Sequence, residues 1–231
     1  MTNSAKSFLF DLLSTPSPTG WETRGQKKWI DYVSTVADQT ESDAYGNAWA
    51  TIQGSEQAPT VMLEAHADEI GFIVKHVTEE GFIRLDRVGG VDHATARGRR
   101  VMILGDDGDV FGIIGNTAIH IRDRKNGEKA PEIQDLYVDV GASSAKEVAK
   151  MGIRVGHPMI YADSAEEFGK NKIVGRALDN RIGGFIIAEV MRQLSKSKPT
   201  ATIHAANCVH EEIGGLGSLM VAHNSKRDRS Q

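Results

Sequence analysis

Between Gly71 and Ala162 the sequence is a run of short strand-like segments broken by turn residues. Gly71–Val77 and Phe82–Val88 are separated by the turn Thr78-Glu79-Glu80-Gly81. Arg100–Leu104 and Val110–Ile114 flank Asp106-Asp107-Gly108, a strong hairpin signal. Leu136–Val140 adds another strand, Ser144 and Glu147 are spaced to cap a short helix, and Met159–Ala162 closes the block. This stretch predicts a small β domain.

The flanking sequence has a different period. Residues 4–14 predict a short helix stopped by Pro16 and Pro18. Thr19 and Glu22 have capping-box spacing, ahead of a helix with Trp29, Ile30, Val33, Val36 and Ala37 on one face. Tyr45-Gly46-Asn47 marks a hairpin turn, with Ala48–Ile52 as its second strand. Val61–Ala65 is a short apolar run suited to a buried parallel strand. After residue 170, Lys172–Gly175 leads into a helix over about 181–195, striped by Ile182, Phe185, Ile186, Val190 and Leu194. Thr202–Val209 reads as a strand, and Gly215–His223 starts a further helix. The expectation is an α/β fold whose sheet carries helices on both faces. Residues 1–70 and 165–231 form that discontinuous domain, and residues 71–164 form an inserted, small β-barrel-like domain.

Composition narrows the partners. The 231 residues carry 27 basic and 31 acidic side chains, for a formal net charge of −4. That balance offers no electrostatic footprint for nucleic acid or an anionic membrane. One cysteine, Cys208, excludes an intramolecular disulfide and a four-cysteine zinc site, and it reads as a small buried apolar residue. No apolar run is long enough to span a bilayer, and the segment SFLFDLL, interrupted by Asp11, reads as an amphipathic helix. A cytoplasmic location is expected.

Three segments concentrate chemistry at the ends of predicted strands: His66-Ala67-Asp68-Glu69-Ile70-Gly71, Ala177-Leu178-Asp179-Asn180-Arg181 and His210-Glu211-Glu212-Ile213-Gly214-Gly215. Ligands gather at strand C-termini of open α/β sheets. An imidazole two residues from a carboxylate suits a metal ligand with an orienting partner, and oxygen plus imidazole donors suit Zn²⁺, Co²⁺ or Mn²⁺. Each segment also has a plainer reading. His66 and Asp68 could be a hydrogen-bonded surface pair, Asp179 a charge at a helix N-terminus, and Glu211 and Glu212 solvated acids. Residues alone leave both readings open, although paired acids between an apolar strand and a glycine cluster fit solvation poorly.

HADEIGF, GRALDNRIGG and HEEIGGLGS, in that order, resemble the M42 metallo-aminopeptidases, a group that includes tetrahedral, glutamyl and leucyl aminopeptidases and proteins labelled endoglucanase. VGGVD at 88–92, LYVDVGASSAKEVAKMGIRVG at 136–156 and STPSPTGWE at 14–22 extend the resemblance over nearly the whole chain. It implies a cytoplasmic, zinc- or cobalt-dependent hydrolase that removes N-terminal residues from short peptides through a dinuclear metal-activated water. It also implies homo-oligomers, with dimers formed through the β insertion and assembled into a tetrahedral dodecamer. By resemblance His66 matches a ligand of one metal, Asp179 the carboxylate bridging both, Glu212 a ligand of the second, Asp68 the carboxylate orienting His66, and Glu211 the general base. The bond from Asp179 to Asn180 is cis in relatives. A glycosidase reading fits less well. It needs two carboxylates about 5–9.5 Å apart across a sugar bond and leaves His66 and Asp179 idle.

The family pattern includes two further ligands, an Asp about 20–24 residues after the glutamate pair and a later His. This sequence has neither before Gln231. The α/β domain is therefore expected to be C-terminally truncated, with each metal short of one protein ligand. The alternative to an active aminopeptidase is a catalytically impaired relative acting as a fragment or assembly partner. His223 and Asp228 are the nearest substitutes, with surface roles as their default. His76, His93, His120, His157 and His204 are expected to pack or face solvent, and Asp163 to belong to a turn.

Overall fold

The computed structural model describes residues 1–122 and 130–227. The chain divides into two compact units, Met1–Glu69 with Ser164–Gln231, and Ile70–Asp163.

The first unit is built on a four-stranded mixed sheet. Its strands are β1 (Gln39–Ser42), β2 (Ala48–Ile52), β3 (Thr60–His66) and β12 (Thr202–Cys208), in the order β1-β2-β12-β3. β12 runs parallel to β3, pairing Cys208 with His66, and antiparallel to β2. Alternation along β12 serves two cores. Ile203 and Ala205 join a cluster with Phe8, Leu12, Trp29, Val33 and Met191, which lie on α1 (Asn3–Ser14), α2 (Thr23–Val33) and α4 (Leu178–Leu194). Ala206 and Cys208 pack with Val221 of α5 (Leu216–Arg227), Trp49 and Met62. A short antiparallel pair, β10 (Glu166–Phe168) and β11 (Lys172–Val174), precedes α4.

The second unit is a closed six-stranded barrel, β4-β5-β8-β7-β6-β9. The strands are β4 (Gly71–Val77), β5 (Ile83–Val88), β6 (Arg100–Gly105), β7 (Gly108–Gly115), β8 (Tyr137–Asp139) and β9 (Pro158–Tyr161). Inward positions such as Phe72, Val74, Ile83, Ile103, Ile114 and Met159 fill it. α3 (Ala145–Lys150) is capped by Ser144, whose hydroxyl accepts from the Glu147 N–H. Closure leaves no unpaired strand edge in the barrel.

Two local expectations need correction. α2 starts at Thr23 with Glu22 at its N-cap, and no side chain caps it. The Thr19 hydroxyl donates to Asp68 instead. β3 is buried only toward its end: Val61 is 41% exposed, while Ala65 and His66 are buried. β3 lies at the edge of the sheet, paired along its length with β12 alone. β10 carries no strand signal in the sequence, because Glu166, Glu167 and Phe168 are all exposed and show no apolar alternation.

Candidate metal centre

β3 and β12 end side by side, and the candidate residues sit just at or past those ends. His66 is the last residue of β3. Past Cys208 the chain turns sharply: His210 adopts left-handed backbone (φ 57°), and Gly214 and Gly215 also have positive φ. These residues deliver Glu211 and Glu212 beside His66. At the start of α4, Ala177 is left-handed, Asp179 and Asn180 are non-helical, and the bond between them is cis. The Asn180 side chain accepts from the Gly183 N–H, and regular helix follows.

His66 is the centre of the cluster. Its Nε2 lies 3.2 Å from Asp179 Oδ1 and 3.5 Å from Glu211 Oε2. Its Nδ1 lies 3.1 Å from the Asp68 carbonyl oxygen and 3.4 Å from Asp68 Oδ1. One ligand atom each from His66, Glu211 and Glu212 fall within 4.8 Å of one another. Asp179 reaches the cluster through His66, and its side chain is 87% exposed.

Asp68 is fully buried and organises the opposite strand end. Oδ1 accepts the Glu211 N–H at 3.1 Å, and Oδ2 accepts the Glu212 N–H at 3.1 Å and the Thr19 hydroxyl at 2.8 Å. One carboxylate thus fixes both glutamates through their backbone.

The electrostatics follow from this crowding. Burial disfavours charge on His66, but Asp68, Glu211 and Asp179 outweigh it and push its pKa up to about 9. Burial would raise Asp68, yet His66, the two backbone amides and Thr19 hold it below the usual carboxylate range. Burial raises Glu212, and the neighbouring acids Asp68, Asp179 and Glu211 add to that rise. A cluster of one imidazole and four acids is short of positive charge, and a divalent cation would supply it.

Beside the cluster a groove of about 500 Å³ is lined by Glu22, Gln26, Tyr45 and His210. Glu22 is buried, accepts the N–H groups of Gly20 and His210, and has a pKa raised by burial. Thr19 and Glu22 have capping-box spacing, and no local pattern announces their contacts with residues nearly 50 and 190 positions away.

His223 is exposed on α5, and Asp228 lies outside the described residues. His204 meets the Thr51 hydroxyl, His157 meets Arg154, and Asp163 pairs with Arg99. Cys208 is buried. Among the described residues no helix is long and apolar enough to cross a membrane.

Residues 46–229 match the model of the M42 glutamyl aminopeptidase family. The lysyl aminopeptidase of Pyrococcus furiosus is 32% identical over 214 residues, which are 91% of this chain and 60% of that relative. An aminopeptidase structure from the archaeon Desulfurococcus kamchatkensis superposes with a TM-score of 0.91 at 31% identity, covering 96% of this chain and 60% of that one. The TET1 peptidase of Pyrococcus horikoshii, described as assembling into a tetrahedron or a large octahedral shell, superposes with a TM-score of 0.84 at 26% identity, covering 94% and 64%. The chain spans about 60% of the length of the curated relatives it matches.

Proposed function

The chain belongs to the M42 glutamyl aminopeptidase family, and from that membership and the geometry above we propose that it acts as a metal-dependent aminopeptidase on short peptides. The observation that carries this reading is the convergence of His66, Asp179, Glu211 and Glu212 at the ends of two parallel strands. Their donor atoms fit a divalent ion. Ligands about 2.0–2.1 Å from a tetrahedral zinc would stand roughly 3.3 Å apart, close to the His66–Asp179 separation of 3.2 Å.

In this reading His66 and Asp179 would hold one zinc or cobalt ion, and Asp179 and Glu212 would hold a second. Bound divalent metal supplies Lewis-acid polarisation of the scissile carbonyl and makes water a stronger acid. The Asp68 backbone carbonyl accepts the His66 Nδ1–H, with the Asp68 carboxylate 3.4 Å away, which leaves Nε2 free as a ligand. The same carboxylate fixes the Glu211 backbone, so that Glu211 is held where it can take the proton of the attacking water and return it to the leaving amine. The groove beside His210 has room for a short peptide. The barrel unit serves assembly: Phe111 and Ile113 are 61% and 52% exposed on β7, and a second copy would cover them.

The test is hydrolysis of an aminoacyl-arylamide panel by the purified chain with Zn²⁺ or Co²⁺. Metal-dependent turnover is expected, with nearly all of it lost in Glu211→Gln while metal uptake persists. Equal rates in wild type and Glu211→Gln would overturn the assignment of Glu211. No turnover above that control would make this chain a non-catalytic member of the family.

A further inference from the structure

Asp179 is held in an unusual way. Its side chain is 87% exposed and meets His66, so its position depends on its backbone more than on packing around the carboxylate. That backbone, 177–180, is irregular, with one left-handed and two non-helical residues. Arg176 precedes the segment and Arg181 follows it, and both guanidinium groups converge on Glu69.

Glu69 is buried next to Asp68 but serves different partners. Oε1 accepts Arg181 Nη2 at 2.7 Å and the Ser17 N–H at 2.9 Å, while Oε2 accepts Arg176 Nη1. The arginines also bind the carbonyls that close α1: Arg181 Nη1 donates to Leu12 at 2.5 Å and to Thr15, and Arg176 Nη2 donates to Ser14 at 2.8 Å. Those carbonyls lack intrahelical partners at a helix C-terminus. Arg181 is 1% exposed. Burying two cations around one carboxylate is costly, and apolar packing could join α1 to α4 as well. The arrangement instead fixes one geometry, because each guanidinium is planar and its hydrogen bonds are directional.

We propose that Glu69, clamped by Arg176 and Arg181, is a positioning residue that holds the 177–180 segment so that Asp179 faces His66. The proposal rests on the reading of Asp179 as a metal ligand. The test compares wild type with Glu69→Gln by titration calorimetry with Zn²⁺, by the visible spectrum of the Co²⁺-loaded protein, and by hydrogen exchange. Glu69→Gln is expected to bind Zn²⁺ about 10–100-fold more weakly, to change the Co²⁺ absorption bands, and to exchange faster at 177–182, with barrel amides unchanged. Wild-type affinity and spectrum in Glu69→Gln would overturn the proposal. If wild type itself takes up no metal, the metal reading fails on its own. Exchange at 177–182 then decides: unchanged rates in Glu69→Gln overturn the positioning role. Should Glu69→Gln not fold, Arg176→Lys, which keeps the charge and loses the fork, takes its place with the same readouts.

Discussion

His66 and Asp68 are joined twice, since the imidazole Nδ1 lies 3.1 Å from the Asp68 carbonyl oxygen and 3.4 Å from its carboxylate. This makes the metal-free protein sensitive to alkali. The His66 pKa is pushed from 6.5 to about 9 by Asp68, Glu211 and Asp179 against the effect of burial. A raised folded-state pKa stabilises the fold fully below the unfolded value near 6.5, and the gain disappears as pH rises through about 9. The metal-free protein should lose at most ~3 kcal/mol between pH 6 and 10 from this group. Urea unfolding across that range checks it. A curve as steep in His66→Gln as in wild type would place the loss elsewhere.

Asp68→Ala removes the carboxylate that accepts two backbone amides and the Thr19 hydroxyl and that lies 3.4 Å from His66 Nδ1, while the backbone carbonyl on Nδ1 stays. Buried donors left without partners are costly, so the expected loss is about 3 kcal/mol or more in urea unfolding. Zn²⁺ affinity should drop about 10–100-fold, since the Glu211 and Glu212 backbones lose the carboxylate that fixes them and His66 loses one of its two Asp68 contacts. Asp68→Asn keeps one carbonyl acceptor and should fall between the two. Calorimetry showing Asp68→Ala as tight as wild type would remove Asp68 from the site.

Much of this was readable in sequence, for identifiable reasons. The Asp106-Asp107-Gly108 hairpin and the Ser144 cap are local devices, and the structure forms both. The helix expected from about residue 181 does become regular there, because Asp179 and Asn180 depart from helical backbone although α4 is counted from Leu178. Long-range chemistry was not readable. Nothing near Glu69 marks its partners Arg176 and Arg181, more than a hundred residues away. Thr19 fits a capping box by spacing alone, and a buried carboxylate outcompetes that role. Val61 is apolar and yet 41% exposed, since burial depends on whether another strand lies alongside.

Gly217, the second residue of α5, lies against the backbone that leaves β12. A Cβ there would press well inside contact distance of the Val209 carbonyl oxygen and the Asn47 side-chain oxygen. Those oxygens are also engaged, since Asn47 accepts the Val209 N–H and Val209 accepts the Gly217 N–H. Gly217→Ala should therefore shift the backbone that carries Glu211 and Glu212. We expect a stability loss of about 1–3 kcal/mol and weaker Zn²⁺ uptake. A denaturation midpoint equal to wild type would mean that α5 relaxes without strain.

Cys208 pairs with His66 across the parallel strands but lies within the core, 1% exposed. Burial raises its thiol pKa strongly, and the Glu64 carboxylate adds to the rise. A thiol that stays protonated and covered is a poor nucleophile, so it acts as a small apolar side chain despite its distance from His66 of a single strand spacing. Alkylation by iodoacetamide at pH 8 should run about two orders of magnitude slower in the native protein than in urea, as local opening of about 3 kcal/mol would give. Cys208→Ala should leave Zn²⁺ affinity unchanged and cost about 1 kcal/mol of stability through the lost sulfur contacts. Fast native alkylation, or a metal affinity that falls with Cys208→Ala, would show that the end of β12 opens to solvent at the site.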